Sequence, residues 1–179
     1  MSMQFIARAE LTGNGSQTIQ VSSIPNTFDD LLIRFNIRSH RPSGLDPLYL
    51  RLNSNFAGNY QYKIVYSWNT GDVRKAFDAA GNQIFMAWLP ARYATANTFG
   101  QGTIRIPNYA LLEEKMIGAE SFFETASTNE VTTSMISGNW ISDAISTVSV
   151  HSGGSEGFAR YSTLDVFGIT RNSGSASVS

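Results

Sequence analysis

The feature that most limits this chain is strict alternation. Apolar and polar residues trade places one by one in short stretches along its length, and no stretch of useful length carries the spacing of an amphipathic helix. Met3, Phe5, Ala7, Ala9 and Leu11 open the series, and Gly13-Asn14-Gly15 supplies a turn because Gly and Asn tolerate positive φ. Ile19 and Val21 follow, then Leu31, Ile33, Phe35 and Ile37, then Leu48, Leu50 and Leu52, then Tyr60 to Tyr66. Each stretch predicts a strand with one face on a core and the other toward solvent or a partner. Further on, Gln83 to Leu89 fits a strand or one helical turn, and strand is favoured. Thr103 to Ile106 is a strand ended by Pro107-Asn108, since proline cannot donate to a ladder. Lys115 to Phe123 pairs with Val131 to Trp140, and Ala144 to His151 and Tyr161 to Ile169 close the series. Residues 69–82 read as a long loop and 90–99 as irregular. About ten strands without helices predict an all-β, antiparallel, jelly-roll-like β-sandwich. It forms one domain over residues 1–171, followed by a polar Ser/Gly tail at 172–179.

A chain of 179 residues suits one such domain and is long enough to bury its core without a metal or disulfide. Only 15% of residues are charged, and Ser, Thr, Asn, Gln and Gly take their place. Neutral polar strand faces of this kind can dock on another protein without desolvating many charges. Few lysines guard the strand edges, so the edges are covered either in an assembly or by loops. Thirteen basic against fourteen acidic side chains leave a net charge of −1. There is no basic stripe to neutralise phosphates, so nucleic acid is not an expected partner. Cysteine is absent, which excludes disulfides and a thiol nucleophile. No apolar run is long enough to span a bilayer, and Met1-Ser2-Met3-Gln4-Phe5 lacks the basic start and apolar stretch of a signal peptide. A protein made in the cytoplasm, without a membrane partner, is expected.

Signals for chemistry are sparse. His40 and His151 have no second ligand at metal spacing, and both read as surface histidines. No Gly-x-Ser-x-Gly elbow is present, and none of the glycine groups has the residues of a phosphate cradle. Asp29-Asp30 and Glu113-Glu114 are adjacent pairs. Neighbours on a strand point to opposite faces, so neither pair can flank a scissile bond alone, and Asp29-Asp30 reads as a solvated turn. No enzyme, cofactor or metal site is expected. Trp68 and Tyr93 both neighbour loops. They are the candidates for carbohydrate stacking, with ordinary inter-strand packing as the competing role for such aromatics.

Several blocks, taken in order, carry a family likeness. They are Ile24-Pro25-Asn26-Thr27-Phe28-Asp29-Asp30-Leu31-Leu32-Ile33 (compare "IPxTYTDLVL"), Leu50-Arg51-Leu52-Asn53 with Gly58-Asn59-Tyr60 (compare "LRFNGDTGxNYS"), and Ala94 to Gly100 followed by Ile104 to Tyr109. Gly138-Asn139-Trp140, Ala144 to Val148 and Leu164 to Ile169 (compare "ATLYGI") complete the set. In these blocks the chain resembles small structural proteins of tailed bacteriophages, of the kind found in phages of cyanobacteria and other aquatic bacteria. It departs from the pattern between 69 and 86, where the usual Gly/Ser-rich loop is longer and more charged. The resemblance implies a non-enzymatic virion protein assembled in the host cytoplasm. The expected role is a capsid cement, or decoration, protein whose partners are the major capsid protein and itself, as a homo-oligomer with a trimer favoured. The alternative is a tail- or fibre-associated module that binds tail proteins, a receptor or a host surface glycan. Leu31, Ile33, Phe35, Leu48, Leu50 and Leu52 are the expected core.

Overall fold

The computed structural model describes residues 1–68, 72–125, 130–141 and 143–171. Twelve strands form, and the described residues include no helix: β1 (Ser2–Glu10), β2 (Thr18–Val21), β3 (Asp30–Ile37), β4 (Leu45–Leu52), β5 (Tyr60–Trp68), β6 (Asp72–Gly81), β7 (Ile84–Pro90), β8 (Gly100–Pro107), β9 (Lys115–Thr125), β10 (Glu130–Trp140), β11 (Val148–Ser152) and β12 (Thr163–Thr170). They lie in two antiparallel sheets, one of eight strands in the order β1-β12-β3-β8-β9-β10-β5-β6 and one of four in the order β2-β11-β4-β7. The antiparallel sandwich expected from alternation is therefore the fold.

The periodicity also placed the core. Leu31, Ile33, Leu48, Leu50 and Leu52 are wholly buried and Phe35 nearly so. They meet Ile104, Ile106, Val148, Val150, Leu164 and Val166 from the facing strands in one continuous cluster. Alternation matters because a one-residue slip would turn this whole set outward.

Two hairpins, β5-β6 and β9-β10, lengthen the large sheet beyond β8, so the small sheet cannot cover it alone. Strand β7 packs against β9, β10 and β5. Phe85 of β7 meets Tyr66 of β5 edge-on at 6.2 Å. Farther down, Tyr60 and Trp140, both fully buried, stack at 6.1 Å. The Tyr60 hydroxyl donates to the Leu52 carbonyl at 3.0 Å and accepts from the Leu52 N–H at 2.8 Å. Burial raises its pKa to about 12.

Several expectations need correction. The segment read as a loop over 69–82 holds the ten-residue strand β6; residues 69–71 lie outside the described residues. Strand β6 sits at the sheet edge with nearly all its side chains exposed, so it needs no apolar face for the pattern to reveal. The stretch Ala144 to His151 is a strand only from Val148. Residues 144–147 are instead held by the Asn53 side chain, which donates to the Ala144 carbonyl at 2.8 Å and accepts from the Ser146 and Thr147 N–H groups at 2.8 and 3.1 Å. Asn53 and Ser54 take the positive φ in the turn after β4. Gly58 is needed for space, since a Cβ there would stand 2.9 Å from the Ala80 carbonyl oxygen. Gly168 likewise makes room for the Phe28 ring, which a Cβ would meet at 2.2 Å. The polar tail at 172–179 lies outside the described residues.

Leu50 lies at the centre of the core, so Leu50→Asp buries a carboxylate without a partner and is expected to cost at least ~3 kcal/mol. For a chain of this size, thermal denaturation followed by circular dichroism should show a fall of roughly 6–12 °C. An unchanged melting temperature would contradict the register.

Candidate interaction surface

The solvent face of the large sheet is built from the alternate residues that the core does not take. On β9 these are Met116, Gly118, Glu120 and Phe122; on β10, Thr133, Met135, Ser137 and Asn139; on β5, Gln61, Lys63, Val65 and Ser67. The register sets them in rows across the strands. Met135 lies opposite Glu120 on one side and Val65 on the other, and Val65 lies opposite Lys75. Ser137 lies between Gly118 and Lys63, and Lys63 lies opposite Phe77. Met116, Phe122, Val65 and Met135 are exposed, Met135 by 72%, and Phe77 at the edge by 77%. Large apolar side chains thus stand out of a field of neutral polar residues with few charges.

Two depressions cross this face and share Met116 and Ser137. One, of about 570 Å³, is lined by Asp30, Arg105, Asn108, Gly118 and Arg171 among others. The second, of about 260 Å³, continues over Gln61, Lys63, Phe77 and Asp78. Gly118 keeps the floor open, since a Cβ there would meet nothing within 4 Å. Strand β3 places a charged cluster at one end. The buried Asp30 carboxylate accepts from Arg105 at 3.1 Å, from Arg171, and from the Asn108 N–H at 3.3 Å. Burial alone would raise its pKa, but the hydrogen bonds from Arg171, Arg105 and Asn108 outweigh it and hold the carboxyl below its ordinary value. Asp30 is thus no solvated turn residue, although Asp29 beside it is exposed. Two guanidiniums, Arg105 from β8 and Arg171 just past β12, converge on it, and only the strand order brings those distant segments together.

The outer face of the small sheet carries a different group. His151 of β11 is half-buried, which corrects its reading as a surface residue. Thr18 lies 3.0 Å from Nδ1, the Ser149 hydroxyl 2.9 Å from Nε2, and Arg51 Nη1 3.3 Å from Nδ1. Burial first, and then the Arg51 charge, push its pKa down to about 4. Beside it Tyr49 packs on Phe85 at 5.9 Å and Phe85 on Trp88 at 5.5 Å. Arg51 also donates to Gln83 at 2.6 Å and lies 4.3 Å over the Phe56 ring. His40 sits in the loop after β3, where its backbone N–H donates to the Gly157 carbonyl at 2.8 Å, away from the His151 group. Among the described residues no group of three or more His, Asp or Glu side chains could hold a metal. No helix among the described residues is long and apolar enough to cross a membrane.

Tyr93 is 70% exposed on the β7–β8 loop. The buried Arg38 organises that loop by donating to the carbonyls of Thr95, Thr98 and Ala94 at 2.7, 2.8 and 3.0 Å. The backbone of Trp68 ends β5 opposite Asp72; its side chain lies outside the described residues. Both positions belong to the same end of the sandwich, but β9 and β10 separate β5 from β8, so the fold does not join them in one platform. Sequence reading missed the partly exposed Tyr49, Tyr66 and Trp88 around Phe85, because their meeting depends on β7 packing against β5. Comparison of the chain with protein-family models, with curated proteins and with solved structures finds no match.

The His151 environment has a pH signature. Its folded pKa is about 4 against an ordinary 6.5, so the unfolded chain takes up the proton first. The neutral ring's contribution is complete above pH 6.5 and is lost as pH falls toward 4. After allowance for partial exposure this amounts to about 2 kcal/mol. Urea unfolding across that range should show the loss, and His151→Gln should flatten that part of the profile. An unchanged slope in the variant would contradict the assignment.

Proposed function

We propose that this chain is a non-enzymatic structural protein of a tailed-bacteriophage particle, acting as a capsid cement or decoration protein that binds and stabilises the outer capsid lattice. We further infer that its core is a jelly roll. With the β5-β6 and β9-β10 hairpins set aside, the remaining eight strands run first-eighth-third-sixth in one sheet and second-seventh-fourth-fifth in the other, the order of two interlocked Greek keys. The observation that carries the functional reading is the solvent face of the large sheet. Phe122, Met135, Val65, Met116 and Phe77 stand exposed there on four neighbouring strands. Exposed apolar side chains grouped on one face and ringed by polar residues mark a protein-binding surface. The low charge lowers the cost of covering that face, and many weak contacts on a repeating lattice add up through multivalency.

The second reading, a tail- or fibre-associated module that binds a receptor or carbohydrate, draws on the aromatic cluster where β4 and β7 of the small sheet meet β5 of the large one: Tyr49, Tyr66, Phe85 and Trp88. Aromatic rings flanked by polar groups such as Arg51 and Gln83 suit a sugar.

Phe122→Ser and Met135→Lys test the first reading. Both side chains are exposed, so each change should alter stability by no more than ~0.5 kcal/mol. Rebinding to particles stripped of the protein should fall sharply, while Tyr49→Ala binds normally. Staining of purified particles against the major capsid band should show copy numbers approaching that of the capsid protein. A count of a few dozen or fewer, or full rebinding by both variants, would favour the tail or fibre role.

A further inference from the structure

Strand β6 ends the eight-stranded sheet, and one of its two edges carries no strand among the described residues. It is long, and its side chains are exposed on both faces, with Val73 at 74% and Phe77 at 77%. A row of backbone donors and acceptors on such an edge is a template for another strand. We propose that the occupant is β6 of a second copy, paired antiparallel about a two-fold axis at Ala76, so that two large sheets become one continuous sheet.

Charge selects this partner and this register. A two-fold axis normal to the sheet keeps both small sheets on the same side, so only residues of the same face can lie opposite one another. That leaves few possible centres on the sequence Asp72-Val73-Arg74-Lys75-Ala76-Phe77-Asp78. Centring on Arg74 sets Arg74 against itself. Centring on Lys75 sets Lys75 against itself and Asp72 against Asp78. Centring on Asp78 opposes two carboxylates, and centring on Phe77 leaves Arg74, Lys75 and Asp78 facing alanines; centring on Val73 sets Asp72 against Arg74 but engages only residues 72–74 at the very start of the strand. Like charges placed directly opposite one another destabilise a strand pair. Centring on Ala76 is different. Arg74 of each copy faces Asp78 of the other, twice over by symmetry, and each Lys75 lies across from a Phe77 ring. The same charges that guard the edge against random strands favour one self-pairing. The irregularity in the β5–β6 register beyond Asp78, where Tyr62 pairs with Asp78 but Tyr60 with Gly81, ends the regular edge and confines the contact to residues 74–78. The contact is isologous and gives a dimer, where the sequence reading favoured a trimer. It does not depend on the role proposed above.

The absence of native cysteine makes the test direct. Ala76→Cys carries a single thiol, and its symmetry mate's Cβ would lie roughly 4.5–5.5 Å away, close to disulfide reach. In the same register Val73→Cys thiols would be roughly 20 Å apart. Mild oxidation of the full chain should link Ala76→Cys into a reducible dimer and leave Val73→Cys and Phe77→Cys largely unlinked. In sedimentation velocity the wild type should dimerise, Arg74→Asp should weaken the dimer about tenfold, and Arg74→Asp with Asp78→Arg should recover it. Melting curves establish that each variant is folded. The proposal is overturned by a wild type that stays monomeric to about 100 µM, by Phe77→Cys or Val73→Cys linking as well as Ala76→Cys, or by a folded Arg74→Asp that associates like wild type.

Discussion

A four-stranded sheet packed on an eight-stranded one cannot cover it, and most of this structure follows from that mismatch. The half that is covered is an ordinary sandwich core of interdigitating Leu, Ile and Val. Over the other half, single elements do the covering. Strand β7 lies across β9, β10 and β5, and Phe85 reaches Tyr66 from there. Tyr60 and Trp140 fill the bottom with the largest side chains available, and the Tyr60 hydroxyl ties them to the end of β4. The inner face is thereby kept dry. The outer face has no such cover, which is why its apolar residues remain exposed.

A chain with few charges uses those it has to fix loops. Arg38 is buried and holds the β7–β8 loop through three close backbone carbonyls. Asp46, also buried, accepts from the Ser39 and Ser152 hydroxyls at 2.7 and 2.6 Å and draws the ends of β3, β4 and β11 together. Lys115 is buried and donates to the Leu111 carbonyl at 2.6 Å and to that of Glu113, closing the turn before β9. Each would be costly if left alone, because a buried ionic group without partners carries its full desolvation penalty. Loops whose polar groups are already satisfied internally have less left to order when a partner docks, which lowers the entropic cost of binding.

Legibility in the sequence tracked burial on one side. Strands β3, β4 and β8 bury alternate residues, and their pattern named Leu31, Ile33, Phe35, Leu48, Leu50 and Leu52 correctly. Strand β6 buries almost nothing, so charges and a glycine at its end looked like a loop. Asp30 looked solvated because its partners, Arg105 and Arg171, lie far along the chain, and only the β12-β3-β8 order brings them together. His151 looked like a surface residue because the burial comes from neighbours on β2 and β4. The sequence singled out Trp68 and Tyr93 by their nearness to loops. The residues that form the outer surface, Met135, Phe122 and Val65, lie mid-strand, where an apolar side chain reads as core until its register is known.

On the proposed role, the uncovered face of the large sheet is the face that docks on the particle. Hydroxyl-radical footprinting can read it from the native methionines, because Met116 and Met135 stand on that face while Met86 is buried at 1% exposure and serves as an internal reference. Oxidation should be measured by mass spectrometry in the isolated protein and in the assembled particle. Met116 and Met135 should be oxidised readily when the protein is free and protected on assembly, with Met86 slow in both states. Equal oxidation of Met116 and Met135 in the two states, with protection moving instead to Tyr49 and Trp88 on the small sheet, would contradict the account.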